Sequence, residues 1–253
     1  MKTAIITGAS SGLGRELVRQ LEDVFPEVEQ YWLIARRSNR LEELAATLPE
    51  GKEAVCLPLD LCDTMSFISL QEKLAAEQPE VLLLINNAGC GYLGNLGEVE
   101  TSTQTRMIDL NLRALTALTN MVIPYMVPGS CLLNVSSIAS FCPNPRMTVY
   151  SASKAYVSAF TIGIAEELRP KGITATAVCP APMRTEFLDC ANITGNSKMF
   201  STLPYCDQVQ VAGGALRAAR AGRTIYTPRL FYKFYRFLAK VTPVKLMVKF
   251  AKT

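Results

Sequence analysis

Apolar runs of strand length alternate with amphipathic runs of helix length along most of the chain. The runs at residues 3–7, 31–35, 54–59, 81–86, 130–136, 173–179 and 224–227 are almost continuously apolar rather than alternating, as parallel strands covered on both faces are. Between them lie helical patterns, at 12–23, 40–48, 65–77, 103–126 and 148–168. This alternation predicts an α/β protein: a Rossmann-type doubly wound parallel sheet of about seven strands in three α/β/α layers. No internal repeat, low-complexity segment or linker divides the chain, so residues 1–253 are expected to form one domain.

Composition narrows the chemistry. Hydrophobic residues make up 49% of the 253, and charged residues only 19%, which suits a large core and argues against disorder. The chain has no histidine. That excludes a Ser-His-Asp triad and any histidine-ligated metal. The 8 cysteines show no C-x-x-C spacing, and several sit in apolar runs, so buried reduced thiols are expected rather than a metal or redox site. Strand 1 begins almost at once, without a secretory pattern, and no uncharged apolar run is long enough to cross a membrane. A cytoplasmic protein is the expectation.

A glycine-rich turn carries the first sharp signal. The strand ending at Thr7 runs into Gly8-Ala9-Ser10-Ser11-Gly12-Leu13-Gly14, and a helical pattern follows. Glycines allow a tight turn whose N–H groups approach a pyrophosphate, and the helix N-terminus adds partial positive charge. An ordinary βα turn is the competing reading, and the strand–turn–helix context favours the phosphate site. At the end of the second strand, an acidic residue would bond a ribose 2′-hydroxyl. Arg36 and Arg37 stand there instead. Guanidinium pairs bidentately with phosphate, so NADP(H) is favoured over NAD, unless the arginines merely cap a solvated loop.

The second signal is Tyr150 with Lys154, four residues apart at the start of a helical pattern and therefore on one face. A free tyrosine, with pKa about 10, is a poor base at neutral pH. A nearby ammonium favours the phenolate. The pair can supply the acid–base function that a histidine would otherwise provide. Ser137, at the end of a predicted strand, is positioned to hydrogen-bond a substrate carbonyl. Alone, Y-x-x-x-K is a common helix surface; its place after the fifth strand of a nucleotide-binding sheet gives it weight.

Together these residues resemble the short-chain dehydrogenase/reductase family in its single-domain branch, from Lys2 to about Thr227. The motifs occur in order: T-G-x-x-x-G-x-G from Thr7 to Gly14, Asp60-Leu61, Asn86-Asn87-Ala88-Gly89, Asn111, Ser137, and Tyr150 with Lys154. The resemblance implies an NADP(H)-dependent oxidoreductase. Asp60 and Leu61 would touch adenine, and Asn87, Ala88 and Gly89 would line the adenosine side and brace the central strand. Ser137, rather than Ser136, would orient the substrate oxygen, and Tyr150 would exchange a proton with it. Lys154 would bind the nicotinamide ribose and lower the pKa of Tyr150. Asn111 would hold a water of a proton relay, or kink its helix by satisfying a backbone group, or both. The Met183 backbone and Thr185 would meet the nicotinamide carboxamide, with Pro180 also at the cofactor. One departure is Ala181, where the family usually has glycine; if that position needs positive φ, alanine is strained there.

The loop at about 184–210 is expected to close over the substrate, with Phe187, Leu188, Met199, Phe200, Leu203 and Tyr205, while Cys90, Tyr92, Cys142 and Met147 lie near the mouth. This apolar lining points to a bulky hydrophobic alcohol or ketone, steroid- or lipid-like. The segment at about 229–253 has a different character. From residue 208 onward there are Lys and Arg but no Asp or Glu. Lys233, Arg236 and Lys240 share one helical flank, and Phe231, Phe234, Tyr235 and Leu238 another. Such a basic amphipathic helix either packs on the domain or a second subunit, or contacts a membrane peripherally. No nucleic-acid recognition motif is present. Long helices in relatives form dimer interfaces, so a homodimer or homotetramer is expected. A non-catalytic NADP-binding regulator of the same fold is the competing function; the complete Ser137, Tyr150 and Lys154 set argues for the enzyme.

Overall fold

The computed structural model of the protein describes residues 1–251; Lys252 and Thr253, the end of the predicted basic segment, lie outside the described residues. Its elements are β1 (Lys2–Thr7), α1 (Gly12–Arg19), α2 (Leu21–Val24), β2 (Gln30–Ala35), α3 (Ser38–Ala45), β3 (Glu53–Pro58), α4 (Thr64–Glu77), β4 (Glu80–Asn86), α5 (Thr101–Ile108), α6 (Leu115–Val122) and β5 (Met126–Val135). Then come α7 (Thr148–Leu168), β6 (Thr174–Val178), α8 (Glu186–Cys190), α9 (Lys198–Thr202), α10 (Gln208–Arg220), β7 (Ile225–Tyr226), α11 (Leu230–Val241) and α12 (Val244–Phe250). All strand pairs are parallel, in the order β3-β2-β1-β4-β5-β6-β7. The chain reverses direction across the sheet between β1 and β4, where such sheets open a crevice at their carboxyl ends.

The continuous apolar strands bury both faces. Along β2, Tyr31 and Leu33 pack into one layer with Leu17 of α1 and Ala215 of α10. Trp32 and Ile34 pack into the other, with Leu70 of α4 and Leu118 of α6. All four β2 side chains are fully buried. Each large apolar side chain so buried stabilises the fold by about 1.5–3 kcal/mol. A polar ladder also crosses the core. Asn86 donates to Thr119 and to Asn134, each at 2.9 Å, and Asn134 donates to Thr161 at 2.9 Å. It ties the carboxyl end of β4 to β5, α6 and α7, which position the site.

Two predicted helices differ in detail. The pattern at 12–23 breaks at Gln20 into α1 and α2. The pattern at 103–126 ends at Val122; Pro124 cannot continue a helix, a 3₁₀ turn at Ile123–Tyr125 follows, and Met126 instead pairs with Val81 in β5. Between α5 and α6 the helix widens to a π-helical turn, Asp109–Ala114. The predicted loop at 184–210 is not structureless: it contains α8 and α9 and returns to the sheet edge where Cys206 donates from its N–H to the Pro182 carbonyl at 2.8 Å. No helix among the described residues is long and apolar enough to cross a membrane. The 8 cysteines are free thiols.

Candidate active site

The glycine turn after β1 is built by close approach. Gly8 has φ +66, and a side chain there would meet Asn87 Nδ2 at 2.7 Å and Ala88 Cα at 3.0 Å. Gly14 does not reach the cavity; a Cβ on it would sit 2.2 Å from the Gly8 carbonyl oxygen, so its bareness lets α1 close on the turn. Asn87 braces the turn by donating its amide to the Thr7 and Gly8 carbonyls at 3.0 and 3.2 Å. Thr7 Oγ1 accepts from the Asn87 and Ala88 N–H groups. The turn is thus a tightly closed cradle, bare of side chains at Gly8 and Gly12 and set at the start of α1, and it fits a dinucleotide pyrophosphate.

A cavity of about 590 Å³ runs from this turn along the carboxyl ends of the strands. Gly8, Ser10, Ser11, Gly12 and Leu13 line the end beside this turn, with Arg36, Arg37, Asp60, Leu61, Ala88 and Gly89. Pro180, Met183 and Thr185 line its middle. Arg37 donates to Ser10 at 3.3 Å and pairs with Glu186 at 2.9 Å. Asp60 pairs with Arg106 at 3.0 Å; burial, the largest single influence, opposes its charge, but a hydrogen bond from the Cys62 N–H at 2.9 Å, this guanidinium and Arg36 hold its carboxyl below the ordinary value. Spacing gives no hint of Arg106, 46 residues away from Asp60. Ala181 is not among the residues with positive φ, so the replaced glycine imposes no strain.

At the far end, Ser137, Tyr150 and Lys154 converge. Ser137 starts a 3₁₀ turn, its Oγ accepting from the Ala139 N–H at 3.1 Å. Its hydroxyl faces Tyr150 and partly offsets the effect of burial on that phenol. Ser136 faces the other way, donating to the Lys154 carbonyl at 2.8 Å, and plays a packing role. Lys154 Nζ lies 5.8 Å from the centroid of the Tyr150 ring and donates to the Val135 carbonyl at 2.8 Å. The expected lowering of the Tyr150 pKa is absent: burial pushes the phenol up to about 12. Burial also lowers the Lys154 ammonium to about 8. In a low-dielectric site both charged forms are penalised, and burial is the largest influence on each group.

Asn111 is fully buried and does not line the cavity. Its amide donates to the Cys90 carbonyl and to Ser153 Oγ, and its Oδ1 accepts from the Cys90 N–H, each at 2.9 Å. It sits in the π-helical turn, so it both satisfies backbone groups and accompanies a helix distortion. Gly89 separates it from Lys154; a Cβ there would touch Asn111 Oδ1 at 3.1 Å and Lys154 Nζ at 3.3 Å.

The substrate end is lined by Phe187, Leu188, Met199, Phe200 and Leu203, with Cys90, Cys142 and Met147, as expected. Tyr205 is not part of it; its ring lies under the Arg184 guanidinium at 5.6 Å. Tyr92 packs behind the wall without lining it. The wall has a contribution that hydrophobic spacing did not predict: Phe231, Tyr232 and Tyr235 of α11, and Ala251 after α12. The predicted aromatic flank of this segment is therefore divided. Tyr232 is buried, donating to the Pro204 carbonyl at 2.8 Å, and Tyr235 meets Phe141 at 6.4 Å between ring centroids. Phe231 and Phe234 are exposed. Burial holds the Cys90 thiol near 11, so this cavity cysteine is a neutral wall group.

A family model described as short chain dehydrogenase matches residues 2–194. Sulfoacetaldehyde reductase 2 of Chromohalobacter salexigens is 33% identical over 187 residues, 72% of this chain and 73% of that protein. A solved short-chain dehydrogenase from Sphingobium yanoikuyae, in complex with NADPH, superposes with a TM-score of 0.78 at 27% identity, covering 96% of this chain and 97% of that one. The bulky-bulky ketone specific alcohol dehydrogenase from Comamonas testosteroni superposes with a TM-score of 0.76 at 26% identity, covering 95% and 91%.

Proposed function

The chain belongs to the short-chain dehydrogenase family, and from that premise we propose an NADP(H)-dependent oxidoreductase that interconverts a secondary alcohol and a ketone on a bulky hydrophobic substrate. The carrying observation is one continuous cavity with a glycine cradle and two arginines at one end and Ser137, Tyr150 and Lys154 at the other. Arg36 and Arg37 line the end of the cavity beside the glycine turn, where their guanidiniums would meet a ribose 2′-phosphate, and this supports NADP over NAD. The likeness to a dehydrogenase solved with NADPH and to one specific for bulky-bulky ketones supports both halves of the reading.

Gly8, Ser10, Ser11, Gly12 and Leu13 would hold the pyrophosphate, Asp60, Leu61, Asn87, Ala88 and Gly89 the adenosine side, and Met183 and Thr185 the carboxamide, with Pro180 also at the cofactor. When bound, the nicotinamide supplies the hydride that the carbonyl carbon takes up. Ser137 donates a hydrogen bond to the carbonyl oxygen and fixes its orientation. Tyr150 Oη, kept protonated at neutral pH by burial, passes its proton to that oxygen and completes the alcohol. Reduction is therefore the direction the resting site is prepared for; oxidation first requires the phenolate. Lys154 binds the nicotinamide ribose, and its charged form eases loss and return of the Tyr150 proton. Asn111 positions the Cys90 segment after β4 beside Lys154.

The apolar substrate end, walled by Met147, Phe187, Phe200 and Phe231, supports the bulky substrate class. Free thiols support a cytoplasmic location. Exposed Ile108 on α5, with Tyr156 and Ile162 on α7, supports pairing of these helices in a homo-oligomer. The test is titration of wild type and the Arg36→Ala/Arg37→Ala variant with NADPH and NADH, followed by nucleotide fluorescence, then a ketone panel that includes steroids. Tighter NADPH binding that the variant loses is expected. Failure of either nucleotide to bind refutes the proposal, and faster turnover of small polar ketones than of steroid or long-chain ketones removes the substrate class.

A further inference from the structure

The C-terminal helices α11 and α12 leave their most apolar face uncovered. Leu230, Phe234, Phe237 and Val241 recur at the spacing of one helix face, and Val244 and Leu246 extend the patch onto α12. These six side chains are between 49% and 81% exposed. Helix α11 directs its tyrosines inward, Tyr232 into the core and Tyr235 against Phe141, so it is already anchored to the body by other residues. The exposed stripe is surplus to folding. Contiguous apolar exposure of this kind marks an interaction surface.

Charge selects the occupant. Lys233, Lys240, Lys245 and Lys249 are exposed on these two helices, and no Asp or Glu occurs from residue 208 to the end of the chain. A second copy laid face to face on this surface would bring lysines against lysines, with no carboxylate of the segment to pair them. A nucleic-acid backbone would match the lysines and leave the phenylalanine stripe without a partner. An anionic lipid surface matches both: apolar side chains enter the acyl boundary while the lysines stay at the headgroups.

We propose that α11 and α12 dock the protein on an anionic phospholipid bilayer, with the substrate end of the cavity opening beside the docked face. Phe231 supplies the continuity, being 57% exposed on α11 and also part of the cavity wall, next to Tyr235 and Ala251. An apolar substrate dissolved in the bilayer would then reach the cavity without crossing water. Docking itself does not depend on the catalytic reading. The opening toward lipid does rest on that reading, and nucleotide titration tests it separately.

The experiment is co-sedimentation of the full chain with vesicles of phosphatidylcholine alone or mixed with phosphatidylglycerol, at low and high salt. The protein is expected to sediment with the anionic vesicles at low salt and to be released by high salt. Phe234→Ser/Phe237→Ser and Lys233→Glu/Lys240→Glu are each expected to lower partitioning about tenfold or more. Both variants change exposed residues outside the cavity wall, so NADPH affinity and melting temperature should match wild type. Wild type remaining in the supernatant at low salt overturns the proposal, as does equal binding to neutral vesicles. Light scattering supplies a further arm: loss of an oligomer in the phenylalanine variant, with no sedimentation of wild type, would assign the face to a second copy instead.

Discussion

Glu186 and Arg37 form an ion pair at 2.9 Å, and Arg40 closes on the same carboxylate at 2.5 Å. The pair joins the first helix of the substrate segment to the end of β2, where the proposed 2′-phosphate would sit. Hydrogen bonds from Arg40 first and Arg37 second hold the Glu186 carboxyl below its ordinary value, so it stays charged through the neutral range. A 2′-phosphate must share Arg37 with this carboxylate or displace it. The carboxylate is half exposed, and such surface pairs are worth about 0–1 kcal/mol. Glu186→Gln is therefore expected to tighten NADPH binding by up to about fivefold and leave NADH nearly unchanged. Fluorescence titration of both nucleotides reads this directly. Equal effects on the two would mean that Arg37 does not meet the phosphate.

In the proposed reaction Tyr150 is the proton donor, and Lys154 is the group that sets the pH response of turnover. With its pKa near 12, the phenol remains a proton donor across the neutral range. Lys154, lowered to about 8, loses its charge as pH rises through that value. Ketone reduction is expected to be level from about pH 6 to about 8 and to fall above, following the lysine rather than the tyrosine. Alcohol oxidation should rise over the same upper range, since it needs the phenolate. Tyr150→Phe should lower kcat about 10²–10⁴-fold with nucleotide affinity preserved. A reduction rate that declines from pH 6 upward would point to a different acid.

Lys154 also carries a stability cost that pH can reveal. Its folded value near 8 lies below the ordinary 10.5, so the unfolded chain binds more protons between these values and stability rises with pH across that window. Below about 8 the buried charge costs on the order of 3 kcal/mol. Lys154→Met removes that charge but leaves the Val135 carbonyl without its donor, a loss of about 1 kcal/mol. The variant should lose activity and yet melt a few degrees higher at pH 7, about 2 kcal/mol more stable. The difference from wild type should shrink between pH 8 and 10.5. A variant that melts lower at pH 7 would show that the ammonium is better solvated than its surroundings imply.

Much of this architecture was legible because its signals are local. Seven apolar runs became seven strands, since parallel strands buried on both faces must be apolar throughout. The turn from Gly8 to Gly14 was legible because only glycine tolerates the contacts made by its first and last members. What stayed hidden depends on distant partners. Arg106 reaches Asp60 only through the docking of α5, and Glu186 meets Arg37 only once the substrate segment folds back. The raised Tyr150 pKa is equally non-local, because spacing places the lysine on the same face but says nothing of the burial around both groups. The C-terminal wall was missed for a related reason: periodicity gathered Phe231, Phe234, Tyr235 and Leu238 on one flank, whereas Tyr232 and Tyr235 turn inward to the Pro204 carbonyl and Phe141.

Two glycines of the site make opposite predictions. A Cβ on Gly14 would lie 2.2 Å from the Gly8 carbonyl oxygen, a backbone atom that cannot yield without opening the cradle. Gly14→Ala should destabilise the protein by about 1–3 kcal/mol and abolish NADPH binding. A Cβ on Gly91 would lie 2.7 Å from Phe187 Cζ and 3.1 Å from Tyr150 Cδ2. The nearer atom is the tip of a side chain on α8, whose ring stands 5.8 Å from that of Tyr150. Phe187 can swing away from Gly91 into the open cavity, so Gly91→Ala should leave stability within about 1 kcal/mol and NADPH affinity intact. It should instead raise KM for bulky ketones more than for small ones, because the displaced ring enters the substrate end. Thermal melts, nucleotide titration and a two-ketone comparison separate these outcomes. If Gly91→Ala behaved like Gly14→Ala, Phe187 would be fixed structure rather than a movable wall of the cavity.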